Sequence, residues 1–214
     1  MDLIIFDLDG TLIDSKLDLA HSVNATRAFM GMDPLTQDVI SSYVGSGAPV
    51  LIRRALGPGA SEEQFARALE YFLAYYNDHC LDYTKLYDGA QETIEALQSQ
   101  GRKLAVLTNK PVRISNVILQ GLGVRSSFFQ VYGGNSFEEK KPSPVGIQAL
   151  RAESGVAAER TLMVGDSSVD VKTARNAGVP SCGVLYGFQP ETFESDPPDF
   201  LIREFRELQK VVLG

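Results

Sequence analysis

The order of apolar runs in this 214-residue chain predicts an α/β fold: a doubly wound parallel sheet interrupted by an inserted helical segment. Three observations carry that expectation. Short aliphatic runs alternate with helical stretches, polar and acidic clusters follow those runs directly, and residues 16–85 break the alternation and read as helix alone.

The first run, Leu3-Ile4-Ile5-Phe6, shows no polar alternation and stops at Asp7-Leu8-Asp9-Gly10. A strand covered on both faces reads this way. The pattern recurs at Lys103–Leu107 before Thr108-Asn109-Lys110, and at Thr161–Val164 before Gly165-Asp166. Weaker strand signals lie at Phe129–Tyr132 and Ser181–Leu185. Between them, Ala90, Ile94 and Leu97 share one helical face, and Gly101 supplies a stop. Pro111 and Pro144 are suited to the first turns of two further helices.

Within residues 16–85, Phe65, Leu69, Phe72, Leu73, Tyr76 and Cys80 fall on one face of a long helix. Met32-Asp33-Pro34 and Gly57-Pro58-Gly59 punctuate the segment as turns. The expected division is therefore an α/β core of residues 1–15 and 86–214 with a helical cap of residues 16–85. Hinges are expected near Asp14–Lys16 and Thr84–Leu86.

The 20 Lys and Arg against 27 Asp and Glu give a net charge of −7, which disfavours a general nucleic-acid binder. No apolar run reaches the roughly 20 residues of a membrane span, and Met1–Leu8 lacks the basic start of a secretory signal. Cys80 and Cys182 form no disulfide framework and read as reduced thiols, so a cytoplasmic location is expected. A monomer is compatible with everything in the sequence.

In an open parallel sheet, ligands bind outside the carboxyl ends of the strands. Asp7/Asp9, Thr108/Asn109 and Asp166/Asp170 each follow a strand signal, so neighbouring strands would bring them to one rim. Carboxylates that converge repel one another unless a cation or proton separates them. Asp residues without nearby His or Cys form a hard oxygen environment that favours Mg²⁺ over zinc. The two histidines, His21 and His79, both lie in the helical insert, away from the rim. No G-x-S-x-G elbow and no P-loop occurs. Mg²⁺, aspartates and a lysine suggest phosphoryl transfer, with a carboxylate able to act as nucleophile. Asp9-Gly10 alone would be an ordinary turn, and Gly45-Ser46-Gly47 has Val50 where a nucleotide fingerprint needs its third glycine.

Asp7-Leu8-Asp9-Gly10-Thr11-Leu12-Ile13-Asp14-Ser15 resembles the first motif of the haloacid dehalogenase-like hydrolase superfamily. Thr108-Asn109 resembles its second motif, Lys141-Pro142 its third, and Gly165-Asp166-Ser167-Ser168-Val169-Asp170 its fourth. Val44-Gly45-Ser46-Gly47, Arg54-Ala55-Leu56 and Tyr186-Gly187 further resemble the phosphoglycolate phosphatase branch. The resemblance implies a Rossmann-like core with an α-helical cap. It implies Asp7 as nucleophile, Asp9 as acid/base, Thr108 and Asn109 on the phosphoryl group, and Lys141 as its neutralising cation. Asp7, the Asp9 carbonyl and Asp166 would hold Mg²⁺, with Asp170 as a further ligand or an orienting group.

The implied activity is a Mg²⁺-dependent phosphomonoesterase on a small anionic metabolite, 2-phosphoglycolate foremost. Its carboxylate would be met by Gly47 at the start of a helix running from Ala48 to Leu56, and by Arg54 if that side chain faces inward. A pyrophosphatase, a nucleotidase, a sugar phosphatase or a sugar-phosphate mutase would keep the same aspartates. A catalytically silent binding module is disfavoured by the intact set of Asp7, Asp9, Lys141 and Asp166.

Overall fold

The computed structural model describes residues 1–213. Its centre is β1 (Leu3–Phe6), whose four residues are completely buried. Between β2 (Ile13–Asp14) and β3 (Lys85–Leu86), which pair antiparallel, the chain forms α1 (Lys16–Phe29), α2 (Gln37–Ser42), α3 (Ala48–Leu56) and α4 (Glu62–His79). It continues through α5 (Ala90–Ser99), β4 (Lys103–Leu107), α6 (Val112–Gly121), β5 (Gln130–Tyr132) and α7 (Val145–Ser154). The last part is β6 (Thr161–Gly165), α8 (Ser168–Ala177), β7 (Ser181–Val184), β8 (Phe200–Ile202) and α9 (Leu208–Leu213).

Six strands form one parallel sheet in the order β5-β4-β1-β6-β7-β8. Alternate β1 side chains explain why it is doubly wound. Ile4 and Phe6 enter a core shared with Ile94 and Leu97 of α5 and Ile114 and Ile118 of α6. Leu3 and Ile5 enter the opposite core with Ile147 and Leu150 of α7 and Ala174 of α8. Both faces are covered, so the strand needs apolar residues at every position. Phe6 also stacks on Phe205 with ring centroids 5.9 Å apart, which anchors the chain just ahead of α9.

The five strand signals of the sequence all appear, and β8 adds an edge strand that it did not announce. Pro111 and Pro144 stand at the N-caps of α6 and α7, one position earlier than expected. The four helices of residues 16–79 pack through the predicted face of α4, where Phe72, Tyr76 and Cys80 are buried. Ser61 and Gln64 close a capping box at its start. The Asp18 carboxylate, buried at the start of α1, accepts from the Tyr83 and Thr84 amides and the Thr84 hydroxyl. It ties the entry of the helical segment to its exit. Among the described residues, no helix is long and apolar enough to cross a membrane.

Candidate active site

Register brings the chemistry together. Phe6 pairs with Val106 on one side and Val164 on the other, so Asp7, Thr108 and Asp166 emerge within a residue or two of the same level. Their strands, β4-β1-β6, are three adjacent strands inside the sheet. Asp7 is fixed there by its amide, which donates to the Val164 carbonyl at 2.9 Å.

Asp7, Asp166 and Asp170 are all buried, and one oxygen from each lies within 4.8 Å of the others. Lys141, also buried, places Nζ 2.6 Å from Asp170 Oδ1 and 2.9 Å from Asp7 Oδ1. Its neighbour Lys140 is exposed and points elsewhere, so only Lys141 enters the cluster. Burial opposes the Lys141 charge, but the Asp170 and Asp7 carboxylates outweigh it and hold the ammonium above the usual lysine range. Burial, reinforced by Asp170 and opposed by Lys141, pushes the Asp7 carboxyl up to about 6. Burial together with Asp170 and Asp7 raises Asp166 well above the ordinary carboxylate value. Three carboxylates and one ammonium leave a surplus of buried negative charge.

The acids differ in how many of their oxygens are spoken for. Asp170 uses Oδ1 on Lys141, while Oδ2 accepts from the Ser167 hydroxyl at 2.9 Å and its amide at 3.2 Å. Asp166 Oδ2 accepts from the Phe188 amide at 2.6 Å. Asp7 Oδ1 is buried and is met by the Lys141 ammonium at 2.9 Å. Three buried carboxylates that share a single ammonium, with Asp7 Oδ1 met by Lys141 alone at 2.9 Å, fit a hard divalent cation. Glycine is required around Asp166, because a Cβ on Gly10, where φ is +78°, would lie 2.1 Å from Asp166 Oδ2. A Cβ on Gly187 would lie 2.2 Å from the Asp166 Cβ.

Asp9 stands on the other side of the nucleophile candidate. Its carboxylate accepts from the Ser15 hydroxyl at 2.5 Å and from Lys110 Nζ at 2.8 Å through each oxygen. The Thr108 hydroxyl accepts from the Lys110 amide at 3.2 Å and borders the same cavity. The Asn109 side-chain amide spends both hydrogens within the protein, on the carbonyls of Gly45 at 2.9 Å and Lys141 at 3.1 Å. It therefore clasps the loop before α3, and only its backbone is left to meet a phosphoryl group.

That loop is held by two more side chains from the sheet side. Lys140 Nζ donates to the Ser46 carbonyl at 2.7 Å, and Gln189 Nε2 donates to the Ser42 and Val44 carbonyls at 2.9 Å each. Gly47, at φ +88°, passes so close that a Cβ would lie 3.0 Å from the Asn109 carbonyl. Beneath the clasp remains a cavity of about 40 Å³, bordered by Asp7, Asp9, Thr108, Gly47, Ala48 and Lys110. It holds roughly three water molecules.

Arg54 corrects one expectation. It is exposed beside Gly57 and Pro58, at the end of α3 opposite Gly47, and does not reach the cavity. The inner face of α3 is taken by Ala48, Leu51, Ile52 and Ala55, which leaves both arginines outside that face. Arg53 pairs with Glu62 and lies over the Phe65 ring instead. Three contributors lay outside the sequence expectation: Lys110, Gln189 and the Tyr76 hydroxyl. Lys110 had a signal, since it directly follows the Thr108-Asn109 pair at a strand end. Tyr76 reads as core from its helical spacing, and the ring is core, but its buried hydroxyl accepts from Lys110 at 2.7 Å. Burial first, and the Asp9 carboxylate second, hold that hydroxyl above the ordinary phenol range.

Comparison with known proteins agrees with this geometry. Residues 4–184 match the family model described as haloacid dehalogenase-like hydrolase. A Vibrio vulnificus protein named phosphoglycolate phosphatase is 39% identical over 218 residues, covering 99% of this chain and 96% of its own. One of the same name from Colwellia psychrerythraea is 37% identical, covering 97% and 95%. The crystal structure of a "predicted phosphoglycolate phosphatase" from Haemophilus somnus superposes with a TM-score of 0.94 at 33% identity, covering 99% of this chain and 97% of that one. With its acids gathered beyond the ends of the neighbouring strands β1 and β6 and its length matched almost throughout, this chain belongs to the haloacid dehalogenase-like hydrolase family.

Proposed function

We propose that the protein is a Mg²⁺-dependent phosphomonoesterase that hydrolyses 2-phosphoglycolate through an aspartyl-phosphate on Asp7. As a family member whose relatives are named phosphoglycolate phosphatase, it is a phosphoric monoester hydrolase. The observation that carries the mechanism is Asp7: a buried carboxylate whose Oδ1 lies 2.9 Å from an ammonium, with two further acids alongside.

Asp7, the Asp9 carbonyl and Asp166 would hold the cation, while Asp170, with both oxygens engaged, orients Lys141 and Ser167. When bound, Mg²⁺ supplies charge neutralisation for the phosphoryl oxygens and for the crowded carboxylates. Asp7 attacks phosphorus, and Lys141 balances the charge on the transferring group. Asp9 gives a proton to the leaving oxygen and then takes one from the water that releases phosphate. The Thr108 hydroxyl and Asn109 backbone orient the phosphoryl oxygens.

The start of α3 supports the reading of substrate charge, because its free amides beside Gly47 and Ala48 suit a carboxylate. The space there is smaller than 2-phosphoglycolate, so the helical segment must shift to admit even a two-carbon ester. Residues 1–15 and 86–214 then form the catalytic core, and residues 16–85 a cap that excludes water and reads the substrate. Cys80 and Cys182 are free and buried, which fits a reducing compartment, and the cytoplasm is the proposed location.

A screen of phosphorylated metabolites with Mg²⁺, read as released phosphate, tests the proposal. 2-Phosphoglycolate is expected to exceed ethyl phosphate strongly in kcat/KM, and chelation to abolish turnover of both. Asp7→Asn should lower kcat by at least about a thousandfold. Equal kcat/KM for the charged and neutral esters would refute the carboxylate reading. A preference for pyrophosphate or sugar phosphates would redirect the substrate assignment.

A further inference from the structure

Among the described residues bordering the cavity, Lys110 is the only cation, and the reaction as drawn above gives it no part. It is 7% exposed, and its Nζ lies 2.8 Å from both Asp9 oxygens and 2.7 Å from the Tyr76 hydroxyl. A lysine ammonium has three donors, and these three acceptors take all of them. None is left for a substrate anion, so the contacts describe a partner of Asp9 and not a substrate ligand. Ser15 donates to Asp9 from the hinge side at 2.5 Å, so the carboxylate is fixed between a hydroxyl and an ammonium that spans both its oxygens. Tyr76 belongs to α4, so the full set of contacts exists only while the helical segment sits against the strand ends.

Building on the reading of Asp9 as acid/base, we propose that Lys110 is a positioning residue for Asp9. The Tyr76 hydroxyl makes that positioning depend on the seating of the helical segment. In the first step, the Asp9 proton passes to the ester oxygen as its bond to phosphorus breaks and the Asp7–phosphorus bond forms. In the second, the Asp9 carboxylate takes a proton from water as the water oxygen displaces Asp7 from phosphorus. Lys110 keeps its own protons in both. Its contribution is to hold the carboxylate plane where both transfers are within reach, and a misplacement of about 1 Å at such a centre lowers rates roughly a hundredfold.

Kinetics of Lys110→Met, Lys110→Arg and Tyr76→Phe, alone and combined with Asp9→Asn, test this. Lys110→Met is expected to lower kcat on 2-phosphoglycolate roughly a hundredfold with KM within about threefold of wild type. Lys110→Arg should restore part of the loss, and Tyr76→Phe should lower kcat by roughly fivefold. With 4-nitrophenyl phosphate, whose leaving group needs no acid, Lys110→Met should release one equivalent of nitrophenol in a burst and then turn over slowly. In the Asp9→Asn background, Lys110→Met should change kcat by less than about twofold, because its effect passes through Asp9. A full further loss in that background, a raised KM with unchanged kcat, or the lack of a burst would overturn the assignment. Should Lys110→Met not fold, Tyr76→Phe, which removes only a hydroxyl, carries the same comparison with Asp9→Asn. Wild-type turnover by Asp9→Asn alone would bring down the acid/base reading itself, and this inference with it.

Discussion

The surplus of buried acid makes the metal-free protein less stable as pH rises, and Mg²⁺ should reverse that trend. Asp7 has an ordinary carboxyl value of 3.8 and is pushed up to about 6 by burial and by Asp170. A group with a raised folded value binds its proton more tightly in the native state. Its stabilising contribution is therefore full below about pH 4 and lost as pH rises through about 6. The gap of roughly two pH units corresponds to a loss of roughly 3 kcal/mol. Asp166 acts in the same direction. Glu62, Asp196 and Glu207, which lie away from the cluster, are held below their ordinary values by hydrogen-bond partners and favour the folded state as pH rises, but equally with and without metal. Urea unfolding between about pH 4 and pH 7, in EDTA and in saturating MgCl₂, isolates the cluster as the difference between the two curves. That difference should widen by roughly 3 kcal/mol across the window, and Asp7→Asn should remove much of the widening. A difference that stays flat, or narrows with rising pH, would refute the claim that the acids are crowded for a cation.

Three other perturbations follow from named contacts. Asp166→Ala should weaken Mg²⁺ affinity more than Asp170→Ala, measured by calorimetric titration, because both Asp170 oxygens already have protein partners. Gly10→Ala forces a Cβ to within 2.1 Å of Asp166 Oδ2 at a positive φ, and should lower stability by at least about 1 kcal/mol and weaken metal binding together. Gln189→Ala removes the donor to the Ser42 and Val44 carbonyls, and should speed amide exchange in residues 41–47 without altering exchange in β1 or β6.

Most of the fold was legible because a parallel sheet with both faces covered leaves strong marks. Leu3–Phe6 has no room for a polar residue when Ile4 and Phe6 serve one core and Leu3 and Ile5 the other. β8 left no such mark. As an edge strand, it keeps Phe200 and Leu201 exposed and buries only Ile202, so its three residues do not form a distinctive run. The gathering of Asp7, Thr108 and Asp166 was legible for a topological reason. Strands that pair in register must end together, and their first polar residues must then be neighbours.

The cap side of the site was legible only in part, and Arg54 and Lys110 show why. Both are cations near the ends of secondary structure, and sequence favoured the wrong one. Helical spacing settles which residues share a face, but not which face meets the sheet; Leu51 and Ile52 take the inner face of α3, and Arg54 is left outside it. Lys110 is buried by contacts with residues 101 and 34 positions away, Asp9 and Tyr76. Neither separation has a period that a sequence pattern could reveal. A buried lysine is sustained only where acceptors meet its charge, so its value as a functional marker appears once those acceptors are placed. Here they are the proposed acid/base and a hydroxyl from the covering helix. Lys110, marked in the sequence only by its place after Thr108-Asn109, thus links the carboxylate at the strand ends to the helix that covers them.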